Sequence, residues 1–114
     1  MSELSLSGSI QEALRLVQRG LFNLEHYDER QEAELETVRT NLLKILQLVE
    51  RDPGIEAAAD DLYKGAKDFL AAKTDADASP RARQSRLLKQ ALARLQERAG
   101  KARPSESARL MGLG

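Results

Sequence analysis

Apolar residues recur along this chain at intervals of three and four, the repeat of one face of an α-helix. Ile10, Leu14, Val17, Leu21 and Leu24 form a first stripe, and Leu35, Val38, Leu42, Ile45 and Val49 form a second at the same spacing. Ile55, Ala59, Leu62, Ala66 and Phe69 make a third, widened by Ala58, Tyr63 and Leu70, and Leu88, Ala91, Leu92, Leu95 and Ala99 make a fourth. Capping residues divide the stripes. Ser9 with Glu12 three residues on reads as a capping box that opens helix 1, which runs to His26. Asp52 before Pro53 reads as the cap and first turn of helix 3, running to Lys73. Ser79 before Pro80 repeats that signal after a polar linker at 74–79, and Gly100 is the natural stop of helix 4. Gly20, in the middle of helix 1, costs about 1 kcal/mol relative to alanine and suggests a place where a neighbouring helix comes close.

The junction of helices 1 and 2 admits two arrangements. The first stripe continues in phase into the second through positions 28 and 31, which are Asp and Gln. Helices 1 and 2 are then either one continuous helix, roughly 60 Å long at 1.5 Å per residue, that pairs in a dimer, or two helices. In the second case the chain turns at His26–Tyr27 and Asp28 caps helix 2 with Gln31 as its capping-box partner. The turn is the better reading, because a domain of this size rarely houses so long a helix alone. The predicted fold is therefore all-α, an antiparallel bundle of three to four helices. It occupies residues 9–100, with a loose segment at 1–8 and a flexible basic tail at 101–114. Within that tail, Pro104-Ser105-Glu106 can start one more short turn carrying Leu110 and Met111.

Composition narrows the chemistry. A length of 114 residues suits one hydrophobic core. Aromatics amount to two Phe and two Tyr without Trp, so the core is aliphatic, as helix–helix packing favours. The absence of cysteine excludes a disulfide framework, a thiolate nucleophile and a Cys-ligated metal. Residues 1–9 show no basic or apolar run of signal-peptide length, and no stretch has the ~18 apolar residues of a membrane span; the cytoplasm is the expected location. His26, the single histidine, lies at a helix junction without an evident orienting partner and reads as exposed or capping rather than catalytic. The Glu25, Glu29, Glu32 and Glu36 stripe lacks the Glu-x-x-His pairs of di-metal bundles and reads as a solvated face. No enzyme activity, metal, cofactor or small-molecule substrate is expected.

Charge changes the picture. Residues 1–79 hold sixteen acidic and nine basic side chains, a net −7, whereas residues 80–114 hold two acidic and nine basic, a net +7. Arg83, Arg86, Lys89, Arg94, Arg98 and Lys101 make helix 4 a basic amphipathic helix. Such a helix either neutralises the acidic surface of helices 1–3, within one molecule or between two, or binds a polyanion or an acidic protein. A second feature is apolar excess. Six of the eight residues from Leu42 to Val49 are apolar, more than one seam requires, and Phe22 stands off the stripe of helix 1. Phe22, Leu43, Leu46 and Leu48 are accordingly the candidate partner contacts. The expected function is a non-catalytic protein–protein interaction module, such as an adaptor, chaperone-like protein or regulatory subunit, with another protein or a second copy as partner. The alternative is a small nucleic-acid-associated protein that grips the phosphate backbone through residues 80–101.

Overall fold

A computed structural model describes residues 6–73 and 78–112, and the amphipathic stripes are its architecture. Four long helices, α1 (Leu6–His26), α2 (Gln31–Leu48), α3 (Pro53–Lys73) and α4 (Ala78–Gly100), are followed by one turn of helix, α5 (Glu106–Leu110). Among the described residues no strand occurs. α1 packs chiefly on α2, and α3 on α4. Gly20 faces Val38, Gly65 faces Leu88 and Ser85 reaches Glu25, so each helix runs antiparallel to its neighbours in an up-down-up-down bundle. The Cα frame measures 50 × 29 × 16 Å, a flattened bundle of two helical hairpins.

The core is the four stripes brought together. Leu24, Val17, Val38, Ile45, Ile55, Leu62, Phe69 and Leu95 are almost wholly enclosed, each contributing about 1.5–3 kcal/mol of burial relative to an exposed position. Leu14, Leu35 and Leu92 lie half-buried at its edge. Gly20 performs the service its position suggests: a Cβ there would lie 2.8 Å from Val38 Cγ2 and 3.3 Å from the Glu34 carbonyl oxygen. Asn41 is buried on α2 and donates from Nδ2 to the Thr37 carbonyl at 2.8 Å, so its polarity is satisfied within the helix.

The first two helices are separate, which removes the fused alternative, but the cap differs from expectation. Asp28 does not open α2. The chain instead enters α2 through Arg30 in the left-handed region, φ 58° and ψ 34°, with no side-chain cap. The turn is held by Lys73 at the end of α3. Its ammonium donates to the carbonyls of Leu24 at 2.6 Å and Tyr27 at 2.9 Å, and to Gln31 Oε1 at 3.2 Å, and it pairs with Asp28 at 3.0 Å. A cation at the last carbonyls of α1 meets the negative end of the helix dipole. Gln31, the expected capping-box partner, donates instead to the Tyr27 carbonyl at 2.6 Å. Ser9 lies inside α1, which is already helical at Leu6, and Glu12 pairs with Arg15 rather than reaching back to a cap. The Asp52 cap holds: its Oδ1 accepts from the Gly54 amide at 2.7 Å and its carbonyl from the Glu56 amide at 3.0 Å. The linker at 74–77 and the Ser79 side chain lie outside the described residues.

The segment read as a basic tail folds back onto the α2–α3 corner. The Glu50 amide donates to the Arg103 carbonyl at 2.7 Å, the Ser105 amide to the Leu48 carbonyl at 2.9 Å, and Val49 and Pro104 form an isolated antiparallel bridge. Ser105 Oγ donates to the Gln47 carbonyl at 2.7 Å and accepts from the Ala108 amide at 3.0 Å, capping α5. Ala108 is fully enclosed, while Leu110 and Met111 stay exposed.

Candidate interaction surface

The two hairpins leave grooves where they meet, and the candidate contacts divide between them. On one side, α1 and α4 flank a groove of about 430 Å³ floored by Leu21, Leu88 and Leu92, with Phe22 on its wall. On the other, α2 and α3 flank a smaller groove of about 120 Å³ lined by Leu42, Leu43, Leu46 and Tyr63. Phe22 is 54% exposed and Leu43 43% exposed, but the structure places them in different grooves. Leu46 is half-buried against the core. Leu48 is only 5% exposed and sits in the core. Its end of α2 is where the C-terminal segment docks, and that docking accounts for part of the apolar excess from Leu42 to Val49.

Phe22 does not stand alone. One turn on, the His26 ring lies 4.3 Å from it, and Tyr27 meets it edge-on at 6.5 Å. All three are exposed. The cluster forms because positions 22 and 26 share a helix face and α1 ends there, turning Tyr27 back across it. Sequence reading singled out Phe22 by its departure from the stripe; His26 and Tyr27 carry no such signal.

The walls of the α1/α4 groove are cationic. Arg15 and Arg19 rise from α1 and Lys89 from α4, and the single carboxylate among the lining residues, Glu25, accepts a hydrogen bond from Ser85 Oγ at 2.6 Å. Arg15 is partly engaged, since its guanidinium donates to Glu12 at 2.6 Å. That bond holds the Glu12 carboxyl below the usual glutamate range and raises Arg15. A separate cavity of about 240 Å³ lies between the start of α1 and the end of α4, bounded by Leu6, Ile10, Leu14, Gln96 and Ala99.

Arg83, Arg86, Lys89, Arg94 and Arg98 are exposed on α4, and among the described residues none of them makes an ion pair. Lys101 pairs within its own segment, with Glu97 at 3.4 Å. Direct neutralisation of α4 by the acidic helices is therefore absent among the described residues. One member of the acidic stripe, Glu36, pairs with Arg39 one turn on, and Glu25 accepts from the Ser85 hydroxyl. Among the described residues no group of three His, Asp or Glu side chains is placed to hold a metal ion, and no helix is long and apolar enough to cross a membrane. Comparison with known proteins finds no matching family model, no matching curated protein and no matching solved structure.

Proposed function

We propose that this protein is a non-catalytic interaction module that receives a helix of a partner in the α1/α4 seam. The observation that carries the reading is Phe22, a large aromatic side chain more than half exposed beside an unfilled aliphatic groove. Contiguous apolar surface rimmed by polar residues marks interaction sites, and aromatic anchors dominate the energetics of many interfaces. Seating an amphipathic helix between two existing helices completes a bundle by the packing that already joins α1 to α2. The groove offers an aliphatic floor, an aromatic anchor and polar walls, and the only nearby histidine stacks on that anchor.

A photo-crosslinking phenylalanine analogue at position 22, compared with the same analogue at position 43, tests the reading in native extract. A discrete adduct from position 22 and none from position 43 supports it. Identical adducts from both positions, or none from either, contradict it.

A second reading rests on Arg83, Arg86, Lys89, Arg94 and Arg98 of α4, which are exposed and make no ion pair among the described residues. A polyanion contacted through four of them would show a slope of log affinity against log salt of roughly −3 to −4. Reversing Arg86, Lys89 and Arg94 to Glu should abolish that binding, and unchanged binding would exclude it.

A further inference from the structure

We infer that the α1/α4 seam is built for an acidic amphipathic helix supplied by a different protein. The inference rests on the helix-in-groove reading and adds the chemistry of the ligand. Three features of the seam carry it.

The first is length. Two cavities open along the seam, one over α1 residues Arg15 to Glu25 and one over Leu6 to Leu14, together spanning roughly 28 Å at 1.5 Å per residue. That accommodates about five turns of a docked helix and greatly exceeds the footprint of a small molecule. The second is the alternation of its surface. The apolar lining is aliphatic in both cavities apart from Phe22, with Leu88, Leu92 and Leu21 at one end and Ile10, Leu14 and Ala99 at the other. A ligand must therefore present a continuous apolar stripe, which a nucleic acid backbone lacks. The third is charge. The charged residues on its walls are Arg15, Arg19 and Lys89 against Glu25; Arg15 is itself paired with Glu12 and Glu25 keeps its charge while accepting from Ser85, so Arg19 and Lys89 are the cations that face a ligand. Arg86 lies one turn from Lys89 on α4 and is exposed, with no ion pair among the described residues. A helix lying in the seam would set the flanks of its polar face against these cations. Acidic residues there are attracted and basic ones repelled, which governs partner choice and encounter rate more than affinity.

A second copy fits less well, although the chain owns an acidic helix. The stripe that would have to enter the seam from α2, namely Val38, Leu42 and Ile45, is already buried in its own core. The acidic face of α2 offers Leu43 as its one well-exposed large apolar side chain, too little for the floor of the seam.

The test is a display library of 18-residue helices with a fixed apolar stripe, its polar-face positions drawn equally from Glu, Lys and Gln. The library is selected on the full-length chain at low salt and counter-selected on Phe22→Ser, which circular dichroism should show to be folded because the residue is exposed. The expected result is a Phe22-dependent pool in which Glu exceeds Lys about tenfold. That preference should collapse on the Arg19→Glu/Lys89→Glu chain. A Phe22-dependent pool with neutral or basic faces overturns the acidic assignment but leaves the helix-in-groove reading standing; no Phe22-dependent pool overturns both. Two companion measurements assign the surface elsewhere if positive. A labelled 20-nucleotide DNA that binds tightly and displaces the pool makes the seam a polyanion site. Sedimentation showing a dimer that Phe22→Ser dissociates makes its occupant a second copy.

Discussion

Lys73 is the side chain on which the turn between α1 and α2 depends, and its replacement by methionine has a predictable cost. The ammonium is nearly enclosed, its side chain being 10% exposed, and converges on four acceptors from the end of α1 to the start of α2. These acceptors are not equivalent. The Leu24 carbonyl belongs to a fully buried residue, and losing its charged donor there costs about 1.5–3 kcal/mol. The Tyr27 carbonyl keeps the Gln31 amide as a donor and has access to water, so it adds a few tenths to about 1 kcal/mol. Asp28 is 94% exposed, and an ion pair so solvated contributes about 0.5 kcal/mol or less. Lys73→Met should therefore lose about 2–4 kcal/mol. For a domain of this size that corresponds to a melting temperature lower by roughly 8–15 °C. Urea unfolding followed at 222 nm measures it directly, with Asp28→Asn as the companion that should change stability by less than about 0.5 kcal/mol. A loss under about 1 kcal/mol for Lys73→Met, or an Asp28→Asn effect as large as that of Lys73→Met, would refute the assignment of the turn to backbone capping by Lys73.

Three further substitutions probe the packing. Gly20→Ala gains about 1 kcal/mol of helix propensity, yet its methyl would press on enclosed Val38 and the Glu34 carbonyl; a net loss of about 1–2 kcal/mol in denaturant is expected, and a gain would show that the helices separate cheaply. Leu48→Ala should cost about 2–4 kcal/mol as a core truncation, whereas Leu43→Ala should stay within about 0.5 kcal/mol; equal costs would contradict their different burial. Ser105→Ala removes the cap of α5 and a bond to the Gln47 carbonyl, so it should cost about 1 kcal/mol. In hydrogen exchange the Glu50 and Ser105 amides should lose protection while those of α1 keep it, and unchanged protection would mean that the segment docks without its cap.

The core was legible in the sequence because it depends on periodicity, a local property. The enclosed residues of α3 and α4 and most of those of α1 and α2 are the apolar positions read from the three-and-four spacing; Ala13 on α1 and Asn41 and Leu48 on α2 are enclosed outside it. The cap at Asp52 was legible for the same reason, since Asp52 and Gly54 are two residues apart. What escaped was set by contacts distant in sequence. Asp28 looked like a cap because an acidic residue before a helix usually serves as one, but Lys73, more than forty residues further on, supplies the donor that closes the turn. The same holds at Leu48. Its surplus of apolar neighbours signals that something covers the end of α2, and no local pattern reveals that residues 103–108 of the same chain contribute that cover. Phe22 was detectable as an apolar residue off its stripe. The groove beside it was not, because it exists only through the meeting of α1 with α4.

The most direct test of the helix-in-groove account is a residue-by-residue map of the protein's amides as a labelled chain is titrated with an acidic amphipathic helix. Docking of a helix along the seam should give shifts that cluster from Leu6 to Tyr27 on α1 and from Ser85 to Gly100 on α4, and that vanish in Phe22→Ser. Shifts confined to the α2/α3 groove around Leu43 and Tyr63, or to Arg83, Arg94 and Arg98, would contradict it.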